Sequence, residues 1–235
     1  MALNKEVFKT RALTALIFVA VMLVGLLWNG YSFVALFSII ICGCVYEIIK
    51  IVKLITPNDW VKHLPIGLIY SLLLIFFIDL GFNKISSSNS AEGNNIFTTY
   101  NYILPVGVIL SIWINDTMAY LVGSFIGKTP FSKISPKKTW EGTIGGALLC
   151  VLIIGMLGYF LPIAQSLAVV HWIAISIICA IFGTLGDLLE SKIKRTANIK
   201  DSGTFMPGHG GFLDRFDSLL LAAPIVWIYF KVFVL

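Results

Sequence analysis

The sequence predicts an all-α fold, a polytopic transmembrane helix bundle of about seven spans, on three observations. Of its 235 residues, 58% are hydrophobic and 12% charged, about half the charged share of a soluble domain. The mean hydropathy of +0.92 reflects more apolar side chain than a soluble fold of this length can bury. The apolar residues also gather into seven stretches, each close to the roughly 20 residues a helix needs to cross a bilayer core of about 30 Å.

In chain order the stretches fall at about 12–28, 32–52, 64–80, 102–122, 143–161, 169–187 and 216–235. The first follows Lys5, Lys9 and Arg11, as a signal peptide would. No small-residue cleavage site closes it and a second apolar segment follows at once, so it reads as a retained helix. The third is short, begins after Pro65 and carries Asp79 at its end. The fifth is rich in glycine, which suits close helix packing. Loop 83–101 is polar and poor in hydrophobes and reads as an external loop without chemistry. Cys42, Cys44, Cys150 and Cys179 all lie in apolar stretches without a C-x-x-C and read as small hydrophobes.

Basic residues give the orientation. Seven spans place the N-terminus and loops 53–63, 123–142 and 188–215 on one side. That side holds 15 of the 17 Lys and Arg residues, all but Lys84 and Lys231. It is therefore predicted to be cytoplasmic, with the N-terminus inside. The net charge of +5 is a one-sided membrane feature rather than a nucleic-acid footprint. Without an internal repeat, an inverted-repeat transporter has little support.

The densest polar stretch is 186–218, GDLLESKIKRTANIKDSGTFMPGHGGFLDRFDS. If the sixth helix continues past the membrane, Asp187, Glu190, Ser191 and Lys194 fall at i, i+3, i+4 and i+7 on one face, with Arg195 extending that side. TANIKDSG then reads as helix end and loop, bearing Lys200 and Asp201. The glycines around His209, with Gly210 and Gly211, let backbone N–H groups approach an anion. Asp214, Arg215 and Asp217 open the last span. Carboxylates Asp187, Asp214 and Asp217 are hard oxygen ligands suited to Mg²⁺, and Lys194, Arg195, Lys200 and Arg215 suit phosphates. Metal-holding carboxylates beside a basic phosphate cradle are what phosphoryl or nucleotidyl transfer needs. A solvated basic loop would explain the cations but not the aspartates at membrane ends.

Ser191-x-Ile193-Lys194-Arg195, Lys200-Asp201-x-Gly203, Pro207-Gly208-His209-Gly210-Gly211 and Leu213-Asp214-Arg215-x-Asp217 together resemble the signature of phosphatidate cytidylyltransferases, the CDP-diacylglycerol synthases. A second block, Asn115-Asp116-Thr117-x-Ala119-Tyr120 through Gly123, Gly127-Lys128 and Ser135-Pro136-Lys137-Lys138-Thr139-Trp140-Glu141-Gly142, is similar to the family's other shared region. Asp116 lies inside an apolar span, where an acid marks a functional site. Lys137 and Lys138 suit a triphosphate, whereas Thr139 and Glu141 also read simply as helix-start residues. The matches cover about 111–218. The N-terminal spans join only through hydropathy, Arg11 and the Tyr46–Glu47 pair.

The resemblance implies a nucleotidyltransferase that transfers CMP from CTP to phosphatidic acid, giving CDP-diacylglycerol and pyrophosphate in phospholipid synthesis. It implies N-terminal helices over 1–110 and a catalytic region over 111–235, in the cell (inner) membrane with the site on the cytoplasmic face. Catalytic roles fall to Asp187, Asp214, Asp217 and Lys194, with Mg²⁺ on the three aspartates. Substrate contacts fall to Asp116, Lys137, Lys138, Ser191, Arg195, Lys200, His209, Gly210, Gly211 and Arg215, with His209 either a phosphate donor or a loop-fixing residue. The partners implied are CTP, phosphatidic acid and membrane lipids, with no nucleic acid; a homodimer is compatible with the pattern. The alternatives are a CTP-dependent polyprenol or phytol kinase, whose alcohol acceptor needs a base, and an anion transporter, which needs polar residues lining a path across the bilayer.

Overall fold

The computed structural model describes residues 5–83, 100–205 and 210–235, with side chains from residue 12 onward. The expected external loop, apart from its ends, and His209 lie outside the described residues. Among the described residues eight α-helices follow one another: α1 (Lys5–Leu27), α2 (Gly30–Ile55), α3 (Trp60–Leu72), α4 (Leu74–Leu80), α5 (Ile103–Ile126), α6 (Trp140–Phe160), α7 (Val169–Thr196) and α8 (Leu213–Phe233). A 3₁₀ turn, Pro162–Ser166, joins α6 to α7. Six segments, counting Trp60–Leu80 as one, are long and apolar enough to span a membrane, and Ala12–Leu27 adds a shorter apolar helix. Large side chains such as Leu16, Ile66, Leu148, Leu152 and Val170 stand exposed along the outside, as they do on a surface that meets lipid.

Local chemistry explains several boundaries. The α1–α2 turn is closed by a capping box: Asn29 Oδ1 accepts from the Ser32 amide (2.8 Å), and Ser32 Oγ accepts from the Asn29 amide (3.1 Å). The third span starts at Trp60, five residues before Pro65, so that proline sits inside α3 rather than before it. The span breaks after Leu72. Ser71 Oγ bonds the Gly67 carbonyl (3.1 Å) and the Leu73 amide turns to Tyr70, i−3 instead of i−4. The sixth span continues unbroken to Thr196, nine residues beyond the expected apolar limit. It ends in a Schellman motif, with the Ile199 amide on Lys194 O (3.0 Å) and the Asn198 amide on Arg195 O (3.1 Å). Asn198 takes the left-handed conformation this requires (φ 57°).

Two packing units meet in the bundle. In the N-terminal one, Phe33 and Phe37 of α2 lie against Phe77 of α4, with centroids 5.8 and 4.7 Å away. Phe216 of α8 joins at 6.3 Å from Phe37. In the C-terminal one, α5, α6, α7 and α8 cross closely enough to demand glycine. A Cβ on Gly146 would lie 2.6 Å from the Ala119 amide of α5, and one on Gly186 would collide with the Asp217 carbonyl of α8. The second crossing sets the first turn of α8 against the last membrane-embedded turns of α7. Cys44, Cys150 and Cys179 are buried, and Cys150 Sγ donates to the Ser111 carbonyl (3.1 Å).

Candidate active site

The polar ends of α2, α5, α6, α7 and α8 meet at one end of the bundle. Between α5, α6 and α7 opens a cavity of about 450 Å³, lined by Asn115, Asp116, Tyr120, Ser135, Lys137, Lys138, Thr139, Thr184 and Asp187 among others. That volume is within the range of small-molecule sites, roughly 300–1,000 Å³. Its two lysines are delivered by hairpin 127–139. Ser135-Pro136-Lys137-Lys138 forms a turn in which the Ser135 carbonyl accepts from the Lys138 amide (3.1 Å), with proline at its favoured second position. The Phe131 amide bonds Lys138 O (2.8 Å) and the Trp140 amide bonds Thr129 O (3.0 Å), closing the hairpin.

Thr139 then caps α6, its hydroxyl accepting from the Gly142 amide (3.1 Å). Glu141 in the first turn accepts from the amides of Lys128 and Thr129 (3.2 Å each) and from Thr129 Oγ1 (2.8 Å). Of the two readings of Thr139 and Glu141, the helix-start role is therefore the one their contacts display. It is what holds Lys137 and Lys138 at the cavity.

Across the cavity stand the carboxylates. Lys138 Nζ forms an ion pair with Asp187 Oδ2, while Asp187 Oδ1 accepts from Ser191 Oγ (3.2 Å) one helical turn on. Asp116 lines the same cavity as Lys138 and Asp187. Asp217 does not line it, but its carbonyl packs against Gly186, the residue before Asp187. The Asn115 amide donates to Asp116 Oδ1 (3.3 Å), and its own buried oxygen has no partner.

Asp214, expected with Asp187 and Asp217 as a metal ligand, has both oxygens engaged. Oδ1 accepts from Lys194 Nζ (2.5 Å); Oδ2 accepts from the amides of Ser202 and Gly211 (2.8 Å each) and lies 2.9 Å from Ser202 Oγ. Among the described residues no three His, Cys, Asp or Glu side chains are placed to hold a metal by themselves. The expected trio is thus not assembled as a ready-made set. Lys194, expected to face phosphates, instead stands half-buried between Asp214 and Glu190 (2.5 Å to each). The i, i+4 spacings on α7 do place Asp187 with Ser191 and Glu190 with Lys194, as the helical reading predicted.

The remaining expected residues that the structure describes lie outside the cavity lining. Arg195 is exposed and donates to the Ile199 carbonyl (3.0 Å). Lys200 and Arg215 are exposed near the entry to α8. Gly210 has φ +84° and Gly211 is buried beneath it. The residue the sequence reading left without a role is Glu47. It is 4% exposed, and it accepts from the amides of Phe212 and Leu213 (2.9 Å each) and from Ser202 Oγ (2.6 Å). The signal was present, since an acid inside the apolar α2 is as informative as Asp116 inside α5.

Residues 67–233 match the model of the cytidylyltransferase family, well over half of the chain. A phosphatidate cytidylyltransferase of Staphylococcus haemolyticus is 32% identical over 256 aligned positions, covering 93% of this chain and 97% of that protein. One of Staphylococcus saprophyticus is 39% identical over 158 positions, 67% of this chain and 56% of that protein. Phosphatidate cytidylyltransferase 4, chloroplastic, of Arabidopsis thaliana is 45% identical over 116 positions, 49% of this chain and 29% of that protein. With its bundle of membrane-spanning helices and its cavity of facing lysines and aspartates, the chain belongs to the phosphatidate cytidylyltransferase group of the cytidylyltransferase family and is a membrane nucleotidyltransferase.

Proposed function

We propose that this cavity takes the triphosphate of CTP and that the enzyme transfers its CMP group to phosphatidic acid, giving CDP-diacylglycerol and pyrophosphate. The observation that carries the reading is the facing of Lys137 and Lys138 against Asp116 and Asp187, at the end of the bundle where membrane-embedded helices meet polar loops. In the reaction a phosphatidate oxygen bonds to the α-phosphorus of CTP. The bond from that phosphorus to the β-phosphate bridging oxygen breaks, and pyrophosphate leaves with the electron pair. The lipid phosphate is already anionic, so positioning and electrostatics supply the catalysis rather than a strong base. Lys137 and Lys138 orient the nucleotide phosphates. Lys138 exchanges its Asp187 partner for phosphate oxygen when the nucleotide enters.

Asp187 and Asp217 fit a magnesium ion as hard oxygen ligands with lone pairs that the protein leaves open, and Asn115, which lines the cavity with Asp116 and Asp187, adds an unpartnered buried oxygen. Mg²⁺ takes one or two carboxylates and completes its shell with substrate phosphates and water, so the absence of a three-acid nest among the described residues suits it. When bound, the ion would neutralise charge developing on the transferred phosphoryl group and the leaving pyrophosphate. Asp214 and Lys194 act on the geometry of α7 and α8 instead. Fifteen of 17 basic residues are on the loops of this end by the seven-span reading, which supports its placement on the cytoplasmic face of the cell membrane.

The test uses purified protein, phosphatidic acid and CTP labelled at the α- or the γ-phosphate. Label from the α-phosphate should enter the chloroform-extractable product. Transfer of γ-label alone would identify a CTP-dependent lipid kinase and overturn the reading.

A further inference from the structure

Helix α8 begins with Phe212 at its N-cap, a residue with no side-chain acceptor for the free amides there. The structure assigns that capping to Glu47 of α2, and with it a positioning role in the nucleotidyl-transfer site; this inference rests on the function proposed above. Glu47 lies 165 positions before Phe212 and outside the 67–233 matched to the family. Its two oxygens take the amides of Phe212 and Leu213, and Oε2 also meets Ser202 Oγ. A carboxylate at a helix N-terminus is favoured by the helix dipole as well as by these bonds. Space is shaped to it: a Cβ on Gly203 or Gly211 would run into the Glu47 carboxylate. The backbone can therefore approach this side chain so closely at 203 and 211 only because glycine stands there.

The contact leads directly to the chemistry. The Ser202 hydroxyl, with its single proton, stands 2.6 Å from Glu47 and 2.9 Å from Asp214. Asp214 holds Lys194, which holds Glu190 on α7. Asp187 lies one turn before Glu190 on α7, and Asp217 lies one turn after Asp214 on α8. A single polar chain thus runs from α2 through Ser202 to both helices that carry the reactive aspartates. Glu47 acts through them without lining the cavity, setting the position of the first turn of α8 and so of Asp217.

The experiment is steady-state kinetics on detergent-solubilised full-length enzyme, normalised to folded protein by size-exclusion and thermal unfolding. Glu47→Gln keeps the shape but turns an N–H donor toward N–H donors. It should lower kcat by about 10- to 100-fold, the upper figure being what misplacement of a reacting group by about 1 Å can cost, with both KM values within about threefold of wild type. Ser202→Ala should lower kcat in the same way but less, and the double variant should be no slower than Glu47→Gln alone. Glu47→Asp, which keeps the charge, should recover part of the lost kcat. If Glu47→Gln does not fold, Ser202→Ala and Glu47→Asp carry the same test. An unchanged kcat per folded molecule, or effects that simply multiply, overturns the inference. Wild-type protein that fails to transfer α-label from CTP to phosphatidate overturns the functional reading and this inference together, whereas an active wild type with indifferent variants overturns this inference alone.

Discussion

Two sets of carboxylates meet at the same end of the bundle and differ in how fully they are engaged. Glu47 and Asp214 are saturated: Glu47 receives three donors from loop 202–212 and the start of α8, and Asp214 receives Lys194, Ser202 and Gly211. Asp116, Asp187 and Asp217 are open. Asp187 has one cation and one hydroxyl, Asp217 is bonded by the adjacent Ser218 amide (2.6 Å), and Asp116 has a long contact from Asn115. A carboxylate whose lone pairs are filled by its own protein holds backbone in place. One with lone pairs to spare can take a cation or shape a phosphate. The hydrogen bonds separate the acids that build the site from those that act in it, a distinction that residue type alone does not make.

The largest expected effect breaks the comparison on the open side. Asp187→Asn or Asp217→Asn should lower kcat at least on the order of 100-fold, since each removes a charge from the reacting centre. Both should leave extractable protein of near-normal thermal stability. Asp214→Asn should show the opposite emphasis. The Lys194 and Asp214 side chains are 11% and 10% exposed; removing one partner of a pair so shielded is destabilising by up to about 3 kcal/mol, and Lys194 would be left with Glu190 alone. A clear fall in unfolding temperature is expected, with kcat per folded molecule reduced less than in Asp187→Asn. Equal stability loss in all three variants would erase the distinction drawn here.

Much of this was legible from the chain. Hydropathy located seven apolar segments because a bilayer imposes one length on all of them. The i, i+3, i+4, i+7 spacing of Asp187, Glu190, Ser191 and Lys194 predicted one face of one helix, and α7 presents it. What the spacing could not tell is that Lys194 turns inward between two acids while Lys138, from a hairpin about 50 residues earlier, meets Asp187. Side-chain identity fixes a group's chemistry, but its partner depends on how helices cross, here through Gly146 and Gly186. Glu47 is visible as an acid inside an apolar helix, but what it contacts was hidden for the same reason. Its partners lie more than 150 positions away, and nothing local to α2 points to them.

A smaller effect sharpens the comparison at the cavity itself. Lys138 is paired with the open carboxylate of Asp187. Lys138→Gln should raise KM for CTP on the order of tenfold, about 1.4 kcal/mol of lost binding, with a lesser change in kcat. An unaltered KM together with a stabilised or destabilised fold would make Lys138 only a counter-ion of Asp187.

The smallest effect is expected at the opposite end of the bundle, where Asp79 of α4 meets α8. Its Oδ2 accepts from Trp227 Nε1 (2.6 Å) and lies 3.1 Å from Lys231 Nζ. This, too, is a carboxylate engaged by its own protein, so it belongs with Glu47 and Asp214 in kind. It differs in setting: the side chains of Asp79 and Lys231 are 49% and 38% exposed, and pairs so open contribute little, about 0–1 kcal/mol. Asp79→Asn keeps an oxygen to accept from Trp227 and loses only the charge facing Lys231. Turnover and both KM values should remain within about twofold of wild type, and the unfolding temperature should fall by no more than about 3 °C. The substitution alters an acid and an inter-helix contact to α8 without touching the end that carries Asp217. A kcat lowered as far as in Glu47→Gln would mean that any slackening of α8 reaches the site, and the special position given to the Glu47 cap would be lost.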